Sequence, residues 1–83
     1  MNGIRPLASL QCGQEGRVCD LAVTGSMRRR LQDIGLIVGT KIECVQKSPA
    51  GDPTAYLIRG AVIALRKEDA KGVLVFCDGR YPG

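Results

Sequence analysis

The sequence contains no histidine and no tryptophan, and these absences exclude several kinds of chemistry. Without an imidazole base, Ser26 and Ser48 have no partner that could activate them as nucleophiles. Without an imidazole ligand, a mixed histidine and cysteine metal site cannot form. We therefore expect a protein that is not an enzyme and that holds no metal ion or other cofactor.

Long hydrophobic runs are also missing. Arg5 and Pro6 interrupt the N-terminal segment before the core of a signal peptide could form. No apolar run approaches the roughly 20 residues that a membrane-spanning helix needs. The sequence therefore predicts a cytoplasmic protein.

The cysteines lack the close spacing that zinc sites and redox motifs require. They are Cys12, Cys19, Cys44 and Cys77. Cys19 and Cys44 fall within strand-like apolar runs, where a free cysteine behaves as a small hydrophobic residue. We expect all four to be reduced and mainly structural.

What the chain does contain fits one small domain, residues 1–83. Hydrophobic residues make up 45% of its 83 residues, although aromatic residues make up only 4%. The eleven glycines and four prolines favour many turns and short strands. A net charge of +4 suggests an acidic partner, but it does not distinguish a nucleic acid, a membrane surface and another protein.

Five short apolar segments are predicted as strands. They are residues 17–23, 41–47, 54–59, 61–65 and 73–77. For the first strand, alternation does not decide which face is buried. Residues 1–12 are predicted as an irregular lead-in and 78–83 as a frayed tail, so the core of the domain would span about 14–77. Residues 66–72 should form one helical turn, with Glu68 and Asp69 solvated.

One short helix is predicted after the first strand, with Ser26 as its N-cap and Met27 as its first residue. Its narrow apolar stripe consists of Met27, Leu31 and Ile34. Gly35 is placed to end the helix in the left-handed conformation, with Leu36 making the accompanying hydrophobic contact. Five strands and one short helix favour an all-β fold, a small closed or half-closed barrel of the SH3-like or OB-like kind.

Several segments resemble, in order and with matching gaps, the ferrous iron transport protein A (FeoA) family. These are "RRRLQDIGLIVGT", Gly51-Asp52-Pro53 and "IRGAVIALRKEDAKGVLV", and the resemblance runs from about Gln14 to Phe76. Ile34 and Val38 depart from the commonest pattern, where methionine and proline are frequent. The same barrel is similar to the C-terminal domain of iron-dependent repressors.

The resemblance implies a five-stranded SH3-like barrel with one short helix. It also implies a cytosolic accessory protein of ferrous iron uptake. Its partner would be FeoB, a membrane ferrous iron transporter with a cytosolic G-protein region, bound and regulated by protein contact.

Three consecutive arginines, Arg28, Arg29 and Arg30, fall in the first part of the predicted helix. At 100° per residue they fan around the axis and form no single patch. Their place near the helix start is unfavourable for the helix dipole, which favours a role in partner contact over pure scaffolding. Asp33 could pair with Arg29 or Arg30. An arginine finger for GTP hydrolysis is a minor alternative.

Leu36, Ile37 and Val38 follow the helix consecutively. Either one or two of them are exposed or all three fill the mouth of the barrel, and the sequence does not distinguish these alternatives. An exposed apolar spot with a cationic rim is typical of a binding patch. The predicted partner-binding residues are Arg28, Arg29, Arg30, Leu36, Ile37 and Asp52.

Two alternatives remain open. A small basic barrel could bind nucleic acid, although single-strand binders of this kind stack bases on aromatic side chains, and no predicted strand carries an aromatic pair. We therefore expect no nucleic-acid partner. Self-association through an exposed strand edge is compatible with either function, so the oligomeric state stays undetermined.

Overall fold

The computed structural model describes residues 3–77. The predicted tail, 78–83, lies outside the described residues. The described part contains six strands, two α-helices and one short 3-10 helix, Leu7–Ser9. The strands are β1 (Gly3–Pro6), β2 (Glu15–Leu21), β3 (Lys41–Lys47), β4 (Thr54–Ile58), β5 (Ala61–Leu65) and β6 (Val73–Cys77). The α-helices are α1 (Gly25–Asp33) and α2 (Lys67–Ala70).

All six strands form one antiparallel sheet in the order β1-β6-β2-β3-β4-β5. Buried side chains from β2 to β6 join those of α1 in a single core, which requires the sheet to curl around them. The predicted all-β class is therefore confirmed. Leu31, Ile42 and Val75 are among the fully buried residues of this core.

The prediction of five strands and an irregular lead-in is wrong, because β1 is a sixth strand. It pairs with β6 from Gly3 opposite Cys77 to Pro6 opposite Leu74. Leu7 and Leu10, which follow it, are fully buried, so the core begins well before residue 14. A four-residue strand has too little alternation to be visible in sequence, and its partner strand lies near the other end of the chain.

A β-bulge explains why the inward face of β2 was ambiguous. Pairing with β6 shifts register between Val18 and Asp20. Gly16 and Val18 are buried before this shift, and Leu21 is buried after it. Since a bulge inserts one residue, the alternation changes face within the strand. The buried residues of β2 therefore do not all belong to one alternating face.

Helix α1 begins earlier than predicted and ends as predicted. Its N-cap is Thr24, whose side chain makes no capping hydrogen bond, and Ser26 lies inside the first turn. At the other end Gly35 has φ 107°. The Gly35 N–H donates to the Gln32 carbonyl and the Leu36 N–H to the Leu31 carbonyl, both at 3.0 Å. These two bonds form a Schellman motif.

The connection between β4 and β5 is a two-residue turn with both residues in the left-handed region. Arg59 has φ 51° and Gly60 has φ 85°, as a type I′ turn requires. The strand β4 ends at Ile58, one residue earlier than predicted, because Arg59 belongs to this turn. The bounds of β3, β5 and β6 agree with the prediction.

No helix within residues 3–77 is long and apolar enough to cross a membrane.

Candidate functional site

The three consecutive arginines of α1 have different surroundings. The Arg28 guanidinium donates to the Leu21 carbonyl at 2.8 Å. Arg30 lies 3.5 Å from an Asp69 carboxylate oxygen. Arg29 is exposed and has neither a hydrogen bond nor an ion pair to any residue that the structure describes. Arg28 and Arg30 therefore fasten α1 to the barrel although both are exposed, whereas Arg29 is held by no side-chain bond to the described residues.

The expected pairing of Asp33 with Arg29 or Arg30 is absent from residues 3–77. Arg30 instead pairs with Asp69 in α2, whose side chain is only 5% exposed. The prediction that Asp69 is solvated is therefore wrong, whereas Glu68 beside it is exposed. Sequence spacing gives no signal for this pair, because only the fold brings α1 and α2 together.

The three apolar residues that follow α1 differ in their exposure to solvent. Leu36 is fully buried, whereas Ile37 is 42% and Val38 is 65% exposed. The prediction that Leu36 lies on the contact surface is therefore wrong, because this side chain completes the Schellman motif in the core. Of the two alternatives that the sequence left open, the structure shows the one in which two of the three residues are exposed.

Backbone hydrogen bonds hold this exposed loop, residues 37–38, in one shape. The Thr40 N–H donates to the Ile37 carbonyl at 3.0 Å. The Gly39 N–H donates to the Val18 carbonyl of β2 at 2.7 Å. Two apolar side chains are thus presented to solvent on a braced turn, which lowers the conformational entropy lost when a partner binds.

Two arginines from the barrel lie at the two ends of the 37–38 loop. Arg17 donates to the Gly39 carbonyl at 3.1 Å. The aliphatic part of Arg59 rests on Gly35, where an added Cβ would be only 2.8 Å from Arg59 Cδ. Both arginines are exposed. The apolar loop therefore has a cationic border.

Arg59 also lines an open groove of about 450 Å³. The other lining residues are Thr40, Lys41, Glu43, Leu57 and Gly60. Lys41 lies 3.5 Å from Glu15 across β2 and β3. The groove thus lies on the outer face of β3 and β4, and it shares Arg59 with the cationic border of the 37–38 loop.

Sequence reasoning missed Arg17 and Arg59 as candidate residues. One signal could have identified Arg59. It precedes Gly60 in a tight turn, at a position where Asn, Asp or Gly is usual because the backbone is left-handed. A long L-residue in that conformation costs about 1 kcal/mol or more. Arg17 has no comparable signal in sequence.

The predicted contact residue Asp52 has a structural role. Its Oδ1 accepts a hydrogen bond from the Lys67 N–H at 2.8 Å, at the first residue of α2. A carboxylate at this place satisfies an otherwise unpaired N–H of the helix. Asp52 therefore connects the loop between β3 and β4 with α2.

Other kinds of site receive little support from residues 3–77. Within them, no three His, Cys, Asp or Glu side chains are grouped to hold a metal ion. Phe76 is 43% exposed, whereas Tyr56 is buried, so the described strands display no aromatic pair on which bases could stack. The exposed 37–38 loop with its basic border is the strongest candidate surface.

Comparison with known proteins identifies the family. The sequence model of the FeoA domain family matches residues 5–76. This chain belongs to the FeoA family. A curated relative from Porphyromonas gingivalis, a fusion of Fe(2+) transport protein A with the Fe(2+) transporter FeoB, is 32% identical over 69 residues. The match covers 83% of this chain but only 8% of the fusion protein.

Solved FeoA structures share the fold. The FeoA-like protein of Clostridium acetobutylicum is 33% identical with a TM-score of 0.82, covering 90% of this chain and 87% of that one. FeoA of Stenotrophomonas maltophilia, solved with zinc and described as an SH3 domain protein, is 30% identical with a TM-score of 0.70. That match covers 84% of this chain and 87% of the other.

A manganese-dependent transcriptional repressor shares the fold alone, at 18% identity and a TM-score of 0.81, over 93% of this chain and 43% of the repressor. The predicted SH3-like fold and the predicted FeoA membership are both confirmed, although the barrel has six strands. The FeoA family takes part in ferrous iron transport.

Proposed function

We propose that this FeoA-family chain binds a FeoB-type ferrous iron transporter and regulates it, acting on the cytoplasmic side of the membrane. The observation that carries the proposal is the braced 37–38 loop, which exposes Ile37 and Val38 between Arg17 and Arg59. The fusion of the two proteins in the P. gingivalis relative supports the same partner. The contact would lie on the G-protein region of the transporter.

The chemistry of the loop suits a protein partner. Interfaces combine an apolar centre with a polar rim, and arginine is enriched in them. Here Ile37 and Val38 would fill the centre, while Arg17, Arg59 and Arg29 would face acidic groups of the partner. The positive net charge of the chain would steer it towards such an acidic surface.

Co-purification with the cytosolic region of a FeoB-type transporter tests the proposal. The double variant Ile37→Asp, Val38→Asp should bind at least about 10-fold more weakly, because carboxylates replace the apolar centre and a tenfold loss is about 1.4 kcal/mol. Val62→Asp is the matched control, since Val62 on β5 is 66% exposed and Val38 is 65% exposed. Unchanged binding by the double variant, or equal loss in the control, contradicts the proposal.

The arginines can be separated in the same assay. Arg29→Glu and Arg59→Glu should weaken transporter binding, and the loss should shrink at high salt. Arg28→Ala and Arg30→Ala should instead lower the free energy of unfolding, because these side chains bond to the barrel.

Two further measurements test the alternative functions. The rate of GTP hydrolysis by the transporter in the presence of the wild-type chain, compared with the rate in the presence of Arg29→Ala, tests the arginine-finger alternative. Salt-dependent binding of RNA or DNA that survives the double variant would favour the nucleic-acid alternative.

A further inference from the structure

Cys12 and Cys44 lie side by side where the chain enters β2. The Gly13 N–H donates to the Cys44 carbonyl at 2.7 Å, and the Cys44 N–H donates to the Gln14 carbonyl at 3.0 Å. The peptide group that follows Cys12 is therefore bonded directly to Cys44 in β3. The two residues occupy adjacent backbone segments although they are far apart in sequence.

Their side chains converge as well. The Cys12 thiol is close enough to the Cys44 thiol to contribute to the rise of its pKa, and both are free thiols. A disulfide forms readily only where the two Cβ atoms already point towards each other, so that the backbone need not move. Neighbouring thiols on two segments joined by backbone hydrogen bonds are placed to meet this condition with little backbone movement.

The two thiols differ in access to solvent. Cys12 is exposed, whereas Cys44 is fully buried in the core. A small oxidant can therefore reach the first sulfur but not the second. Exposure of one thiol and the presence of a second cysteine beside it are two features of redox-sensing cysteine pairs.

We propose that Cys12 and Cys44 form a peroxide-reactive pair, in which a hydroperoxide oxidises Cys12 and Cys44 then closes an intramolecular disulfide. This inference is independent of the transporter partner proposed above.

The proposed reaction has two steps. First, the Cys12 sulfur attacks one peroxide oxygen, the O–O bond breaks, and Cys12 becomes a sulfenic acid while one water leaves. Second, the Cys44 sulfur attacks the Cys12 sulfur, the S–O bond breaks, and the hydroxyl leaves as water with the proton of Cys44. Two thiols lose two electrons in total, and one hydrogen peroxide becomes two waters.

The surroundings of Cys44 affect the second step. Burial, together with the neighbouring Cys12, raises the pKa of the Cys44 thiol to about 11. Since the thiolate is the stronger nucleophile, disulfide closure should accelerate as the pH rises from neutral towards that value.

Peptide mapping tests the proposal directly, because trypsin places each cysteine on a different peptide. Cys12, Cys19, Cys44 and Cys77 fall on residues 1–17, 18–28, 42–47 and 72–80. After treatment of the dilute, reduced full chain with hydrogen peroxide, we expect the peptides 1–17 and 42–47 to be linked. The intact chain should lose the mass of two hydrogen atoms, and a reductant should restore it.

Variants identify the order of the steps. Cys12→Ser should abolish the linkage. Cys44→Ala should leave Cys12 as a sulfenic acid that a cyclic diketone reagent traps. Cys19→Ser is the control and should keep the linkage, since the Cys19 thiol donates to the Leu74 carbonyl at 3.4 Å.

The wild-type map does not depend on the folding of any variant. Oxidation of Cys12 without a linked peptide, linkage through Cys19 or Cys77, or linkage only between two copies of the chain would each overturn the proposal.

Discussion

At the scale of single residues, Arg59 combines a left-handed backbone conformation with a close side-chain contact to Gly35. Its φ of 51° is the only positive value at a non-glycine residue within 3–77. The same side chain rests on Gly35, itself at φ 107°. A Cβ at Gly35 would displace Arg59 as well as strain the end of α1, so these two residues depend on each other. Holding arginine in this turn costs stability, which indicates a task for its charge.

Replacement of Arg59 by two different residues should separate these effects. Arg59→Asn and Arg59→Ala both remove the charge and should weaken transporter binding equally. The Asn variant should be more stable than the Ala variant by about 0.5–1 kcal/mol, because asparagine tolerates the left-handed conformation. Urea unfolding measures this difference, and equal stability of the two variants would refute the conformational argument.

At the scale of elements, α1 is a poor helix by its own local interactions. It has nine residues, an N-cap side chain without a hydrogen bond, and no acidic residue in its first turn. Isolated helices of this length are unstable in water. The helix is held from outside, by the bonds of Arg28 to Leu21 and Arg30 to Asp69 and by burial of Leu31.

A better N-cap should therefore stabilise the protein. Thr24→Asp places a carboxylate before the first turn, where it can accept from a free N–H and interact favourably with the helix dipole. We expect the free energy of unfolding to rise by about 0.5–1 kcal/mol. Thr24→Ala should change little, since the threonine side chain makes no capping bond. Thermal unfolding of the three proteins decides the matter, and a loss of stability in the Asp variant would contradict it.

At the scale of the whole molecule, one core contains two groups that resist ionisation. Burial raises the pKa of the Tyr56 phenol from 10.0 to about 12 and that of the Cys44 thiol from 9.0 to about 11. Both are raised because the charged form would lie in an apolar core. The unfolded chain therefore releases these protons at lower pH than the folded chain does.

The folded state should consequently lose stability in alkali. Well below pH 9 both groups are protonated in either state. The unfolded chain ionises Cys44 near pH 9 and Tyr56 near pH 10, whereas the folded chain ionises them only near pH 11 and pH 12, so the free energy of unfolding falls as pH rises through this range. Tyr56 alone can contribute up to about 3 kcal/mol of this loss. Denaturant unfolding of the reduced protein should show a shallower decline above pH 10 for Tyr56→Phe. An identical decline would contradict the expected burial effect.

The sequence by itself determined the elements whose signals are local. Short apolar segments predicted β3, β5 and β6, and the order of glycine and leucine predicted the Schellman end of α1 at Gly35 and Leu36. The motif from Arg28 to Val75 indicated the family, because its residues recur in fixed order and spacing. Such features depend on neighbours along the chain, and so they can be recognised from the sequence.

The tertiary structure alone decided the features that join distant segments. These include β1, which exists through its pairing with β6, and the pairing of Arg30 with the buried Asp69. They also include the burial of Leu36 beside the exposed Ile37, the position of Arg17 and Arg59 around that loop, and the pairing of the segment after Cys12 with Cys44. Each depends on the distance between residues remote in sequence, and that distance is set only when the sheet curls around its core.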